Sequence, residues 1–319
     1  MSSGRSQAGQ TRPGQLSPGS ARPGLVEFAL LGGISLAWGS SYMFTKIAVT
    51  ALPPVSLVAG RTVLAAAVMA AVALAKGGVR LPWRELPVFA VVGIASGALP
   101  LILIATSVSY VNSSVTATAM ALVPLWAGVL AAALGQRPTP RSLVGLALGF
   151  AGILVLFGPQ ALAALGDSAR GALAALAASL VFSSSLFLSR RVRHRDILTV
   201  ATVTQVMSAL FAVAVALVVD GLPTVIPSAS VLGAVAVLGI ANTALANLLL
   251  FILLARAGAG FTSLNNYLVP TVAVACGALF LGERLTAASV SGAGLILLGV
   301  AVATLPALPW LGARKDGAS

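Results

Sequence analysis

The 319-residue chain has very little of what water-soluble catalysis is usually built from. It holds one histidine, one cysteine and seven acids, and only 8% of its residues are charged. His194 stands in an Arg-rich connection and Cys276 inside an apolar run. No internal disulfide, metal site or histidine-dependent triad can be assembled from that inventory, and nothing in it calls for a cofactor. There is no G-x-x-x-x-G-K-[ST] loop, so work driven by ATP would need another subunit. No acid falls in the middle of an apolar run: Glu27, Glu85, Asp167, Asp196, Asp220, Glu283 and Asp316 all lie at edges or in connections. A carboxylate that trades a proton for a cationic drug at mid-depth is therefore missing. So are the clustered acids or nucleophile–base pairs of a membrane-embedded enzyme.

What remains is apolar. The chain is 58% hydrophobic with 33 glycines, and apolar runs of about 18 residues or more recur along it. The runs do not alternate in the ~10-residue segments of a transmembrane β-barrel. The fold class expected is an all-α polytopic membrane protein lying in a lipid bilayer. Ten spans are expected near 27–49, 55–75, 86–108, 113–134, 141–158, 170–189, 198–219, 230–254, 260–281 and 288–308. Residues 1–24 are Ser, Gly, Gln, Pro and Arg, read as a disordered tail, and 309–319 as a second short tail. The run after residue 24 is too long for a signal-peptide core and shows no small-residue cleavage pattern.

The net charge of +12 is not a nucleic-acid footprint, because the basic residues sit in short connections. With the N-terminus inside, 15 of the 19 basic residues fall on the cytoplasmic side. Only Arg170 and Arg284 lie in external connections, and Lys46 and Arg61 lie within spans. Both termini are expected in the cytoplasm.

The chain also repeats itself. Gly135 to Pro159 matches Gly282 to Pro306 without a gap, including Gly-x-Arg-x-Thr and spaced glycines. Leu122-Val123-Pro124 matches Leu268-Val269-Pro270, Gly93-Ile94-Ala95 matches Gly239-Ile240-Ala241, and Lys46 and Arg61 stand opposite Arg190 and Gln205. Each copy (25–158 and 169–308) has five spans, an odd number, so the second enters the membrane inverted. Two inverted five-helix repeats are the frame on which many secondary transporters are built. Gly93/Gly97 and Gly145/Gly149 form GxxxG pairs, read as packing seams or as a contact in a homodimer.

The ten-span pattern, Trp38-Gly39-Ser40-Ser41 in span 1, Arg61 in span 2 and the Pro…Leu-Gly-Glu-Arg-Leu-Thr ending of span 9 resemble the drug/metabolite transporter superfamily in its EamA-type branch. The resemblance covers about 25–308. It implies an inner-membrane carrier, usually an exporter of amino acids or other small metabolites, with a central cavity between the two five-helix halves. Gln136 departs from the pattern, since Glu283 and the family have an acid there.

Ionisable and amide groups inside a bilayer are costly and so are functional candidates. Arg61, with Lys46, could attract a carboxylate; alternatively Lys46 snorkels and Arg61 caps carbonyls. Trp38, Ser41, Tyr42 and Thr45 follow one helical face. Thr116 leads to Pro124 in span 4, and Thr262, Asn265 and Asn266 lead to Pro270 in span 9. Asn242 and Asn247 fall in span 8 and Gln205 in span 7. These side chains either line a substrate cavity or join helices. Pro124 and Pro270 each remove a backbone donor and are candidate hinges. The Gly-Glu-Arg-Leu-Thr ending is read as the start of the next helix. The expectation is a carrier of a small-molecule substrate; a membrane enzyme, a scaffold, a nucleotide-sugar carrier or a drug carrier are the alternatives.

Overall fold

A computed structural model describes residues 23–79, 83–135, 139–163, 167–192, 194–222 and 227–304. Most of the two tails, and Gln136, lie outside the described residues. Those described are helical, without a strand among them: α1 (Leu25–Ala48), α2 (Pro54–Ala75), α3 (Trp83–Tyr110), α4 (Ser113–Ala133), α5 (Pro140–Ala163), α6 (Asp167–Leu188), α7 (Ile197–Val219), α8 (Ala229–Gly258), α9 (Asn265–Leu281) and α10 (Ala287–Thr304). Six of them are long and apolar enough to cross a membrane, and Pro140–Leu156, Asn265–Leu281 and Ala287–Ala303 are shorter apolar helices. At 24 residues α1 is long enough as well, but its second half carries Ser40, Ser41, Tyr42, Thr45 and Lys46.

Local chemistry sets the breaks. Proline opens α2 and α5, where its missing N–H has no helical partner to lose. Positive-φ glycines follow α2, α7 and α9 at Gly77, Gly221 and Gly282. Gly258, at φ 75°, ends α8 earlier than a continuous run would suggest, and a short stretch to Thr262 precedes α9. Two helices contain a π-helical turn, Ile94–Ala98 in α3 and Ile240–Leu245 in α8, each starting at the Ile of a matched Gly-Ile-Ala. Span 4 is not one kinked rod. It is two pieces, Ser113–Met120 and Val123–Ala133, and Pro124 stands in the first turn of the second piece. Pro270 lies inside α9, leaving the Asn266 carbonyl without its usual donor.

The two sequence halves are not two bodies. α1 packs on α8 and α9, α2 on α7 and α8, α3 on α6 and α7, α4 on α6, and α5 on α10. A cavity between separate five-helix halves is therefore replaced by two mixed groups: α1, α2, α8 and α9 in one, α3, α4, α6 and α7 in the other. The reason is that each half exposes apolar faces that only helices of the other half cover. The groups meet along α2–α7 and at the end where α1 finishes, here the Lys46 end. There Ser113–Met120 of α4 packs on α1 and α9, and Leu99–Tyr110 of α3 packs on α1 and α2. Toward the opposite, Glu27 end the second piece of α4 turns instead to α5, α6 and α10.

α5 and α10 form the flank. A methyl on Gly145 would stand 2.5 Å from the Gly299 carbonyl oxygen, and one on Gly299 would stand 2.5 Å from that of Gly145. Gly152 and Gly292 make the same kind of approach further along, with a Gly152 methyl 2.8 Å from the Gly292 oxygen. The helices are thus antiparallel and nearly touch by backbone. Gly93 and Gly97 press on Thr204 and Ser208 of α7. Both GxxxG seams are filled from within the chain, so these glycines do not supply a contact between copies.

Candidate functional site

Arg61 is the one guanidinium in the core of the described chain, 5% exposed and about two turns into α2. Its Nε donates to Thr243 Oγ1 at 2.8 Å, and that hydroxyl donates to Leu238 O at 2.7 Å across the π-helical turn of α8. A π turn widens the helix and turns carbonyls and side chains out of the regular ladder, here offering Thr243 to Arg61. No carboxylate among the described residues pairs with Arg61, and its terminal nitrogens have no hydrogen-bond partner there. Tyr42, 6% exposed, lies within electrostatic reach of Arg61, and its hydroxyl is likewise unpartnered among the described residues. A fork of N–H donors beside a free phenol is chemically an anion receptor.

Around this pair the helices bring several expected residues together. Trp38 and Tyr42 pack with Ile104, Ala117, Val269 and Ala273, a cluster that spans both helix groups. Gln205, matched in sequence with Arg61, is buried and donates from Nε2 to Thr62 O at 3.4 Å, joining α7 to α2. Ser41 is buried with its hydroxyl on Trp38 O at 2.7 Å. Asn242, in the π turn, donates to Ala37 O and, at 3.0 Å, to Ser40 Oγ, while its Oδ1 is buried without a partner among the described residues. Ser183 Oγ on α6 and Ser208 Oγ on α7 are orphaned in the same way. Buried polar atoms normally find partners, so three orphans on three successive helices mark places for water or solute.

Other candidates stand apart from Arg61. Asn265 is buried and accepts from Ser35 Oγ at 2.8 Å, fastening α9 to α1. Thr116 is fully buried and pairs with Ser107 at 2.8 Å within one helix group. Thr262 donates to Gly258 O at 2.8 Å in the short stretch before α9. Asn247 and Asn266 are half-buried, and neither side chain has a partner among the described residues. The hinge candidates Pro124 and Pro270 are both at breaks or weakened turns, with Pro270 lining a groove with Ser114, Thr118 and Thr271.

Sequence reasoning missed the polar links at the two ends. At the Lys46 end, Lys46 Nζ donates to Val108 O and, at 2.9 Å, to Val111 O, the carbonyls that finish α3. Glu283 accepts four bonds at the start of α4: from Ser113 N at 2.7 Å, Ser113 Oγ at 2.8 Å, Ser114 N at 3.2 Å and Ser114 Oγ at 2.6 Å. The Gly-Glu-Arg-Leu-Thr ending therefore does more than begin the next helix. Thr286 caps α10, accepting from Ser289 N at 3.0 Å, while Glu283 caps α4. Burial pushes the Glu283 carboxyl up, but the Ser114 and Ser113 hydrogen bonds outweigh it and hold the group below the usual carboxylate range. Asp220 accepts from Ser56 N at 3.0 Å and Ser56 Oγ at 2.6 Å, capping α2. At the Glu27 end, Glu27 pairs with Arg256 at 2.8 Å, and Glu85 pairs bidentately with Arg195, with His194 at 3.4 Å. An acid within two residues of an expected span boundary was the only sign of these links in the sequence.

Known proteins resemble this chain over most of its length. The profile of the EamA-like transporter family matches the chain twice, over residues 27–158 and 169–305. An uncharacterized transporter of Archaeoglobus fulgidus is 25% identical over 266 residues, 82% of this chain and 93% of that one. The uncharacterized inner membrane transporter YedA of Escherichia coli is 24% identical over 280 residues, 87% of this chain and 90% of its own. A solved crystal structure matches with a TM-score of 0.62 at 25% identity, covering 89% of this chain and 97% of that one.

Proposed function

The chain belongs to the EamA-like transporter family, and on that premise we propose that it is a secondary carrier exporting a small polar metabolite, such as an amino acid, across the inner membrane. The observation that carries this reading is Arg61. A guanidinium taken out of water costs several kcal/mol unless it is paired, yet here it meets one threonine and, among the described residues, no acid. Such an arrangement fits a partner that comes and goes, and a carboxylate matches the fork of the free nitrogens. Tyr42, Trp38 and the orphaned Asn242 would face the rest of a small solute.

The frame is ten spans in two inverted repeats with both termini in the cytoplasm. Support comes from the family profile matching twice, from π turns at matched positions in α3 and α8, and from the reciprocal glycine contacts of α5 and α10. Because the sequence halves are interleaved, the units that rock are the two mixed four-helix groups, with α2–α7 as the line of contact. Asn247, Thr262 and Asn266 then stand toward the cytoplasmic end of the path. Ser, Thr and glycine contacts alone would serve a scaffold equally well, but a scaffold gives no reason for an unpaired buried arginine.

The test is metabolite profiling of cells and medium with and without expression of the chain. One or a few small carboxylate-bearing solutes should leave the cell and accumulate in the medium. An unchanged profile at confirmed membrane expression refutes the reading.

A further inference from the structure

The polar links at the two ends differ in what they join. At the Lys46 end all three cross between the helix groups: Lys46 of α1 holds the end of α3, Glu283 after α9 holds the start of α4, and Ser56 of α2 is held by Asp220 at the end of α7. At the Glu27 end neither ion pair among the described residues crosses, and the crossing hydrogen bond nearest it, Thr202 Oγ1 to Met69 O, is a long one at 3.5 Å. Glu27–Arg256 joins α1 to α8 inside one group, and Glu85–Arg195 joins the start of α3 to the approach to α7 inside the other. The packing follows the same division, since α3 and α4 press on α1 and α9 with the halves nearer Lys46.

The crossing links also match the fields of the helices they hold. Lys46 sits on the carbonyl end of α3, while Glu283 and Asp220 sit on the N–H ends of α4 and α2. Each charge meets the opposite end of a helix dipole and satisfies groups that a helix end leaves open. Lys46 faces Glu283 within electrostatic reach, and Arg284 beside it is exposed. Gly277 is part of the device: a methyl there would stand 2.5 Å from Glu283 Oε2, so the carboxylate rests on bare backbone of α9.

The repeat supplies a comparison. Lys46, Asp220 and Glu283 have as sequence counterparts Arg190, Lys76 and Gln136. Asp220 and Lys76 even occupy the same place, the residue closing α7 and α2. None of the three counterparts is an acid, so neither helix-capping carboxylate has an equivalent at the other end. Arg190 lies over the Phe187 ring, with 4.9 Å to its centroid.

We infer that Lys46, Asp220 and Glu283 form a one-sided latch that closes the external face and makes the inward-open form the resting state of the empty carrier. The inference rests on the carrier reading and on its N-inside orientation. It assigns these residues a positioning role: they touch no solute, and they decide which side the solute site opens to. An exporter with such a latch waits open to the cytoplasm, where its substrate is.

The test is external accessibility of a buried position between the groups. Ala117 on α4, fully buried against Tyr42 and Val269, is replaced (Ala117→Cys) in a Cys276→Ser background. A membrane-impermeant methanethiosulfonate is added outside intact cells at neutral pH, with no substrate present. The parent should label slowly. Glu283→Gln, which removes the charge, and Gly277→Ala, which keeps Glu283 but displaces its carboxylate, should each label roughly tenfold faster or more, as loss of charged hydrogen bonds implies. Fast labelling of the parent, or parent-like slow labelling in both variants, overturns the inference. If one variant fails to reach the membrane, the other still decides. Labelling needs no transport, so faster labelling in a chain that exports nothing would sink the carrier reading and keep the latch. Export with no change in labelling would do the reverse.

Discussion

Arg61 offers the sharpest separation between a structural and a functional role. If its guanidinium were there to hold α2 against α8, Arg61→Leu would remove the Thr243 hydrogen bond and destabilise the protein. The structure argues otherwise, because that bond is the residue's only one among the described residues and no counter-charge is left behind. Losing a single hydrogen bond to a charged group costs ~1.5–3 kcal/mol. Relief from burying an unpaired cation is worth several kcal/mol in the other direction. Arg61→Leu should therefore unfold at the same temperature as the parent or a higher one in detergent. Its export of the solute found by profiling should fall much further. A desolvated bidentate arginine–carboxylate pair lost on one side costs ~2–5 kcal/mol, or roughly 30-fold to several thousand-fold in transport efficiency. Arg61→Lys keeps the charge but cannot hold Thr243 and fork onto a carboxylate together, so it should fall between the two. Wild-type export by Arg61→Leu at matched membrane levels would refute the assignment. So would a marked drop in its melting temperature accompanied by a proportional loss of export.

Three further outcomes follow from the same structure. Gly145→Leu or Gly292→Val should destabilise the flank, since added side chains would meet the Gly299 carbonyl at 2.5 Å or Leu156 Cα at 2.7 Å; overpacking of this kind costs ~1–3 kcal/mol or more, read as a lower melting temperature. Glu283 has a lowered pKa, so its stabilisation is complete above the ordinary carboxylate range and is lost as pH falls through the lower folded value. The difference in melting temperature between parent and Glu283→Gln should stay constant from about pH 8 to 5 and close below about pH 4, with Lys46 the cation that faces it. A difference that closes near neutral pH would contradict the capping geometry. Finally, a reporter fused after Arg193 should read cytoplasm and one after Asp220 the exterior; the opposite pattern would reverse the orientation and move the latch to the inner face.

Much of this molecule could be read from one dimension, and the parts that could not share a cause. Apolar runs of the right length located the helices because a bilayer demands backbone self-satisfaction within each span. Arg61 stood out because a charge in such a run needs a reason. Which helix packs on which is a long-range property, and no local pattern showed that α1 would seek α8 and α9. Amide-bearing residues were ambiguous for the same reason: Asn265 turned out to fasten α9 to α1, while Asn266, one residue on, has no partner among the described residues. Glu283 misled by its position. In Gly-Glu-Arg-Leu-Thr it reads as the first-turn acid of the following helix, whereas its partners lie about 170 residues earlier, at Ser113 and Ser114. Span 4 divided in two because the turn at Ala121 and Leu122 comes before Pro124, so the proline starts a helix rather than bending one.

The central claim is that the chain alone moves its solute by alternating access. Counterflow in proteoliposomes tests it most directly. The purified chain is reconstituted into vesicles loaded with unlabelled solute, the one found by profiling, and trace labelled solute is added outside without nucleotide. Transient accumulation of label, absent with Arg61→Leu, is the result expected of a carrier with one site exposed alternately to each side. Flat uptake in vesicles that contain folded protein would contradict it.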